Sequence, residues 1–170
     1  MIMVQGAREI FIERVKDYDP SIIDKAVTKG FSDILGEDFT FPEQEKVFLK
    51  GNFLMVSEPF RCELTHPEVV KSVCREVIKR KGSPVVCDSP AFGALKKILM
   101  SLGMLEWLDK EGIEYRDLKK TKKIEIMDPL TGKPLIVSRE LFESPYVINM
   151  PKMKAHVQMK MTGAVKNMFG

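Results

Sequence analysis

The chain has 170 residues. Because domains have about 150 residues on average, this length predicts a single compact domain with one hydrophobic core. Its composition, 44% apolar and 30% charged, is that of a globular chain and excludes intrinsic disorder. No uncharged apolar run approaches the ~18 residues of a membrane helix, and Arg8 and Glu9 interrupt any export signal. We therefore expect a cytoplasmic protein with no membrane partner.

The net charge and the cysteines indicate which partners and which cellular compartment to expect. A net charge of +3 is too small an excess for a general nucleic-acid binder, so we expect no nucleic-acid partner. Residues 151–170 nevertheless contain four lysines and no acid, so the positive excess lies at the end of the chain. Cys62, Cys74 and Cys87 form no C-x-x-C motif, which indicates a reducing compartment rather than a disulfide scaffold.

Period-two hydrophobic patterns predict a series of strands. They cover residues 9–15, 84–87, 113–118 and 145–150, and residues 46–56 form either one bulged strand or a strand that runs into a loop at Gly51. Two further alternating runs, 123–127 and 134–138, flank the turn residues 128–133 and predict a β-hairpin.

Helix signals lie between the predicted strands. Asp19 and Pro20 predict a helix start, and Gly36 predicts its end. The sequence from Thr65 to Glu68 has the form of a capping box before an apolar helix face. Ser89 before Pro90 predicts the cap of a third helix, which breaks near residue 103 and resumes to residue 110.

Strands that alternate with helices of ~15 residues predict an α/β fold. We expect three layers, with a mainly parallel sheet, helices on both of its faces, and a β-hairpin near residues 123–138. Residues 1–170 are expected to form a single domain. Because parallel sheets bind ligands beyond the carboxyl ends of their strands, residues 58–66, 88–93 and 151–156 are the candidate site segments.

Lys152, Lys154 and His156 alternate directly after the last predicted strand, so an extended chain projects all three to one side, ~6–7 Å apart. Crowded lysines favour a phosphate, a carboxylate or a developing oxyanion, and each lowers the pKa of its neighbour. A solvated basic loop is the alternative. Asp88 and Ser89 follow another strand, where a carboxylate serves as a base or metal ligand, or one of the two caps a helix.

Metal and nucleotide sites have weaker support. The candidate ligands for a soft metal ion are Cys62, His66 and Cys87. Their spacing matches no established metal-binding motif, and cysteines without such a spacing more often have a structural role. The chain contains neither Gly-x-Gly-x-x-Gly nor Gly-x-x-x-x-Gly-Lys-Ser/Thr. We therefore assign no metal ligand.

Two long segments, THPEVVKSVCREVIKRKGSPVVCDSPAFG and YVINMPKMKAHVQMKMTGAVKNMFG, resemble the family called domain of unknown function 362. The family's motifs correspond here to Lys50 with Asn52, Thr65–Glu68, Asp88 with Ser89, 149–156 and 162–170. Gly51 stands where the family usually has proline, which predicts a softer corner.

The resemblance also bears on chain length and cofactors. Family members usually continue beyond the final motif, so the chain resembles the amino-terminal part of a longer protein. Many relatives carry ferredoxin-type iron–sulfur segments. This chain has no such cysteine pattern, so a cluster belongs only to a missing segment or to a partner.

These observations lead to one leading hypothesis, an enzyme acting on a small anionic organic molecule in redox-linked metabolism. In this hypothesis the catalytic residues are His156, which transfers a proton, Asp88, which orients His156 or binds a metal, and Lys154, which holds the anion together with Lys152. The expected substrate-binding residues are Lys152, Ser89, Asn149, Lys166 and Asn167. The alternatives are a non-catalytic module that docks a ferredoxin-like partner through its basic end, and a truncated chain that folds only in part.

Overall fold

The computed structural model describes residues 10–58, 61–120, 122–156 and 160–168. The helices in these ranges are α1 (Pro20–Leu35), α2 (Pro67–Lys79), α3 (Leu95–Ser101), α4 (Leu105–Lys110), α5 (Arg139–Glu143) and α6 (Ala164–Asn167). The strands are β1 (Lys46–Lys50), β2 (Ser83–Asp88), β3 (Glu114–Asp117), β4 (Lys123–Met127), β5 (Pro134–Ser138), β6 (Val147–Asn149), β7 (Lys154–His156) and β8 (Lys160–Thr162).

Four of these strands form one parallel sheet in the order β3-β2-β1-β6. β4 pairs with β5 in the hairpin predicted from the sequence, and β7 pairs with β8 in a second antiparallel hairpin. In the central sheet, Lys50 lies opposite Cys87 of β2 and Asn149 of β6. The predicted α/β class, with its mainly parallel sheet and its hairpin at 123–138, is confirmed.

The two faces of the sheet carry separate cores because successive strand residues point to opposite sides. Leu49 and Val86 face a large core to which α1, α2, α3 and α4 contribute their apolar faces. Phe48 and Val85 face a smaller core that is closed by Leu118 and by the half-buried Leu141 of α5. The sheet is therefore covered on both faces, which explains the buried apolar residues in the middle of β1 and β2.

The strand predicted for residues 9–15 is wrong over its described part, because residues 10–15 have no strand conformation. This segment instead lies against α1. The ring of Phe11 lies so close to Gly30 that a Cβ atom there would be 2.9 Å from it, and Glu13 pairs with Lys29 at 3.0 Å. The alternating pattern reflects one face packed on a helix rather than one face of a sheet.

The predicted helix starts had mixed outcomes. Asp19 caps α1 as predicted, since its Oδ1 accepts from the N–H of Ser21 at 2.9 Å. α2 is capped by His66 rather than by Thr65, because the Thr65 hydroxyl instead donates to the Met150 carbonyl at 2.6 Å. His66 Nδ1 accepts from the N–H of Glu68 at 3.2 Å.

The helix predicted to begin at Pro90 under a Ser89 cap begins later, at Leu95, with Ala94 as its N-cap. Residues 89–94 form a loop that follows β2. The N–H of Phe92 donates to the Leu54 carbonyl at 3.1 Å, and so joins this loop to the one after β1. None of the helices in the described ranges is long and apolar enough to cross a membrane.

Gly51 makes the first turn after β1, and the softer corner expected there is in fact tightly packed. Its N–H donates to the Cys87 carbonyl at 3.0 Å, a bond that a proline in this position would lack. A Cβ atom on Gly51 would lie 2.2 Å from the ring of Phe53, which is fully buried. The turn therefore has no room for a side chain.

We expect Gly51→Ala to lower the thermal unfolding temperature, because the added methyl group must displace the Phe53 ring from the core. Overpacking of this kind costs about 1–3 kcal/mol. Gly163→Ala is the matched control, since a Cβ atom at Gly163 would meet nothing within 4 Å. Unchanged melting of the Gly51 variant would contradict the packing described here.

Candidate functional site

The strand order creates a topological switch point between β1 and β6. From β1 the chain continues to β2 and β3 on one side, and it returns to the other side of β1 with β6. In α/β proteins, ligands bind beyond the carboxyl ends of two such strands, and we call this region of the present chain the crevice. Lys50 and Asn149 lie opposite each other there, as the last residues of the two strands.

A buried ion pair lies beside this crevice. Lys50 Nζ donates to Asp88 Oδ1, and only 1% of Lys50 and 4% of Asp88 is exposed. The remaining carboxylate oxygen accepts from the N–H of Phe53 at 2.6 Å, and the N–H of Ser89 donates to Oδ1 at 2.8 Å. Asp88 thus holds together the loops that follow β1 and β2.

Lys50 was not among the residues assigned to the site from the sequence. The available signal was a lysine at the end of an otherwise apolar strand, KVFLK, which is an unusual place for a charge in a buried strand. Ser89, which the sequence analysis did assign to the site, is half-buried and contributes its backbone N–H to Asp88.

Hydrogen bonds of asparagine side chains hold α6 against the carboxyl ends of β1 and β6. Asn167 Nδ2 donates to Asn149 Oδ1 at 2.8 Å and to the Gly51 carbonyl at 3.1 Å. Asn167 Oδ1 accepts from Asn52 Nδ2 at 3.1 Å, and Asn149 Nδ2 donates to the Ala164 carbonyl at 2.9 Å. The structure therefore brings the predicted site residues Asn149 and Asn167 into direct contact and adds Asn52 to them.

Lys154 extends from β7 toward the same crevice. Its ammonium group donates to Asn52 Oδ1 at 2.9 Å and to the Glu63 carbonyl at 2.5 Å. Burial lowers the pKa of Lys154; the nearby carboxylates of Glu63 and Asp88 oppose this shift, whereas Lys166 and Lys152 add to it. The sequence predicted a lowered pKa caused by neighbouring lysines, but burial is the larger cause.

Lys152 contacts an aromatic residue from a distant part of the chain. Its Nζ lies 3.2 Å from the Tyr18 hydroxyl, and the Tyr18 ring stacks on His66 at a centroid distance of 3.6 Å. Burial lowers the pKa of His66. The carboxylate of Glu68 opposes this shift, whereas the positive charges of Lys152 and Lys71 add to it. Tyr18 is a neighbour of the site that the sequence did not predict, whereas His66 is the last residue of the candidate segment 58–66.

The remaining predicted residues lie on the hairpin and on α6. His156 is half-buried and follows Lys154 by two residues in β7, so the two side chains share one face of this strand. It lies opposite Lys160 in the β7–β8 pairing. Lys166 is exposed on α6, within electrostatic range of Lys154.

The candidate ligands for a soft metal ion differ in their exposure to solvent. Cys62 is exposed, whereas Cys74 and Cys87 are buried, and burial raises the pKa of each of these two thiols to about 12. His66 uses Nδ1 to cap α2. Within the part of the chain that the structure describes, no three His, Cys, Asp or Glu residues are grouped to hold a metal ion.

Comparison with known proteins gives a family and one relative. The family model for the domain of unknown function (DUF362) matches residues 47–170. Over 129 residues the chain is 36% identical to the thylakoid-associated protein sll1697 of Synechocystis sp.. This alignment covers 74% of the present chain and 39% of the relative, so the chain spans about two fifths of that protein's length. No solved structure matches the chain.

We expect Lys50→Met to destabilise the protein by about 3–5 kcal/mol, because it leaves the Asp88 carboxylate buried without its partner. The double variant Lys50→Met/Asp88→Asn carries no buried charge and should be more stable than Lys50→Met alone. Lys46→Met is the matched control, since Lys46 lies on the same strand with an exposed ion pair worth less than about 1 kcal/mol. Urea unfolding measures all of these, and additive losses in the double variant would contradict the pairing.

The thiol environments predict one fast-reacting cysteine in the native protein. Exposed Cys62 should react with a disulfide reagent at pH 8, while Cys74 and Cys87 stay unreactive because their pKa values are about 12 and they are buried. All three should react after unfolding in guanidinium chloride. Cys62→Ser should remove the fast phase, and three fast thiols in the native state would refute the assigned burial.

Proposed function

The chain belongs to the domain of unknown function 362 family, and we propose that it binds a small organic anion in the crevice between β1 and β6. The observation that carries this proposal is the position of Lys154. Its ammonium group, half-buried and with a lowered pKa, donates to Asn52 beside the switch point and interacts electrostatically with Lys152 and Lys166. Three cations around one crevice favour a carboxylate or a phosphate there.

Each side chain has a distinct role in the proposed site. Lys154 and Lys152 contact the anion, and Lys166 adds charge from α6. Asn149 and Asn167 form the floor of the crevice, because their mutual hydrogen bond holds α6 against the end of β1. Asp88 and Ser89 act as positioning residues through Lys50 and the loop after β2.

The proposed chemistry is proton transfer to or from the bound anion. His156 shares a face of β7 with Lys154. An anion held by the lysine would therefore lie on the same side of the strand as the imidazole, which can transfer a proton. The lowered pKa of Lys154 gives this lysine, too, a larger neutral fraction than an ordinary lysine at alkaline pH. An enzyme of small-anion metabolism, linked to redox chemistry elsewhere in the protein or in a partner, is the function that fits these groups best.

The alternative is a docking module for an acidic, ferredoxin-like partner. It depends on the exposed lysines Lys160 and Lys166 rather than on the half-buried Lys154. Complex formation with ferredoxin would then weaken steeply between low and moderate salt. Lys154→Met would leave it nearly unchanged, whereas the same change should remove most of the affinity for a small anion.

The test is a calorimetric titration of the protein with citrate and with inorganic phosphate. We expect Lys154→Met to weaken binding about tenfold or more, since a charge-assisted hydrogen bond to the anion is lost. Lys110→Met is the control, because Lys110 is exposed at the far end of α4. Equal affinities in the wild type and in Lys154→Met, with unchanged melting temperatures, would overturn the proposal.

The pH dependence follows from the direction of the Lys154 shift. Only the protonated ammonium attracts the anion, so affinity is present below the pKa of Lys154 and is lost as the pH rises through it. Because this pKa lies below the ordinary 10.5, the loss should begin at a lower pH than for a free lysine. Lys154→Arg should retain its charge and shift the loss to higher pH. Identical pH profiles would show that Lys154 does not supply the charge.

A further inference from the structure

The β4–β5 hairpin has an aliphatic face that belongs to neither core of the molecule. The face consists of Ile124, Ile126, Leu135 and Val137, which are paired directly across the two strands. Because side chains alternate along a strand, all of them point to the same side of the hairpin. None of these described residues is part of the two cores. A two-stranded hairpin is only marginally stable in water, so a further strand beside it would stabilise this one.

The backbone of β4 is paired on one side only. The N–H of Arg139 donates to the Lys122 carbonyl at 2.9 Å, so Lys122 directs its carbonyl toward β5. Successive residues of an antiparallel strand direct their backbone groups to alternate sides. Lys123 and Glu125 consequently direct their N–H and C=O groups away from β5. Within the described ranges, no strand pairs with this outer edge of β4.

The outer edge of β4 is complementary in charge to a second copy of itself. Glu125 is exposed, and no ion pair joins it to another described residue. Lys123 is exposed as well; its ammonium group donates to the Leu118 carbonyl, which leaves two N–H groups for other acceptors. In an antiparallel pairing of two copies centred on Ile124, Lys123 of each copy lies opposite Glu125 of the other. Opposite charges in such positions stabilise paired strands.

The outer edge of β5 is less suited to the same pairing. Pro134 directs its backbone away from β4, and proline has no N–H to donate to another strand. An antiparallel pairing of β5 with a second β5, centred on Ile136, would place Lys133 of one copy opposite Arg139 of the other. Like charges that lie directly opposite each other are destabilising. The edge of β4 is therefore the one that fits a second copy.

We propose that two copies of this protein pair through the outer edges of β4, so that their hairpins form one continuous antiparallel sheet. Lys123 and Glu125 of each copy exchange backbone hydrogen bonds with Glu125 and Lys123 of the other, and Ile124 meets its equivalent at the centre. The contact uses the same residues on both copies, so it closes as a two-fold symmetric dimer. It also doubles the aliphatic face, and it does not depend on the proposed anion site.

Sedimentation equilibrium of the full chain tests the proposal, and the wild type should show a monomer–dimer equilibrium. Glu125→Lys places lysine opposite lysine, and Lys123→Glu places glutamate opposite glutamate. Each variant alone should therefore dimerise about tenfold or more weakly than the wild type. An equimolar mixture of the two variants restores both opposite-charge pairs and should dimerise about as strongly as the wild type. Glu111→Lys is the matched control, because Glu111 is exposed at the end of α4 and outside the hairpin.

Amide hydrogen exchange of the wild type gives a second readout that needs no variant. Exchange at Lys123 and Glu125 should slow as the protein concentration rises, whereas exchange at Ile124, whose N–H faces β5, should change less. Melting temperatures verify that the variants are folded. The proposal is overturned if the wild type is monomeric at every concentration, or if the folded charge variants dimerise like the wild type. It is also overturned if their mixture dimerises as weakly as each variant alone.

Discussion

The buried pair of Lys50 and Asp88 is the interaction on which the carboxyl edge of the sheet depends. Two charges with almost no exposure are costly to keep from water, and removing either one leaves the other uncompensated. Asp88 also accepts from the backbone of Phe53 and Ser89, so the same carboxylate fixes the first residues of two loops. Next to this carboxylate, the Phe53 ring packs directly against Gly51 at the end of β1.

This fixed edge supports the segment that follows β6. Lys50 and Gly51 present backbone carbonyls to Asn167, while the side chain of Asn52 contacts both Asn167 and Lys154. Asn52, from the first third of the chain, thus contacts side chains of both α6 and β7. Lys154, whose pKa burial lowers, lies where these distant parts of the sequence meet.

Local patterns were reliable predictors where the local environment decides the conformation. The cap at Asp19 and the hairpin around residues 123–138 are local interactions, and both are confirmed. The patterns were misleading where a distant residue competes for the same group. Thr65 has the sequence of a cap, yet its hydroxyl bonds Met150, and the alternating residues 10–15 pack on a helix.

The amino-acid sequence by itself determined the α/β class, the parallel strands and the concentration of lysines after the last of them, because these depend on periodicity and composition. It also placed Asn149 and Asn167 in one site through their motif. Only the tertiary structure decided that Lys50 neutralises Asp88 and that His66 caps α2 beside Tyr18. The physical reason is that hydrogen bonding and burial depend on which residues become neighbours in space, and residues 50, 88 and 167 become neighbours only when the sheet has formed.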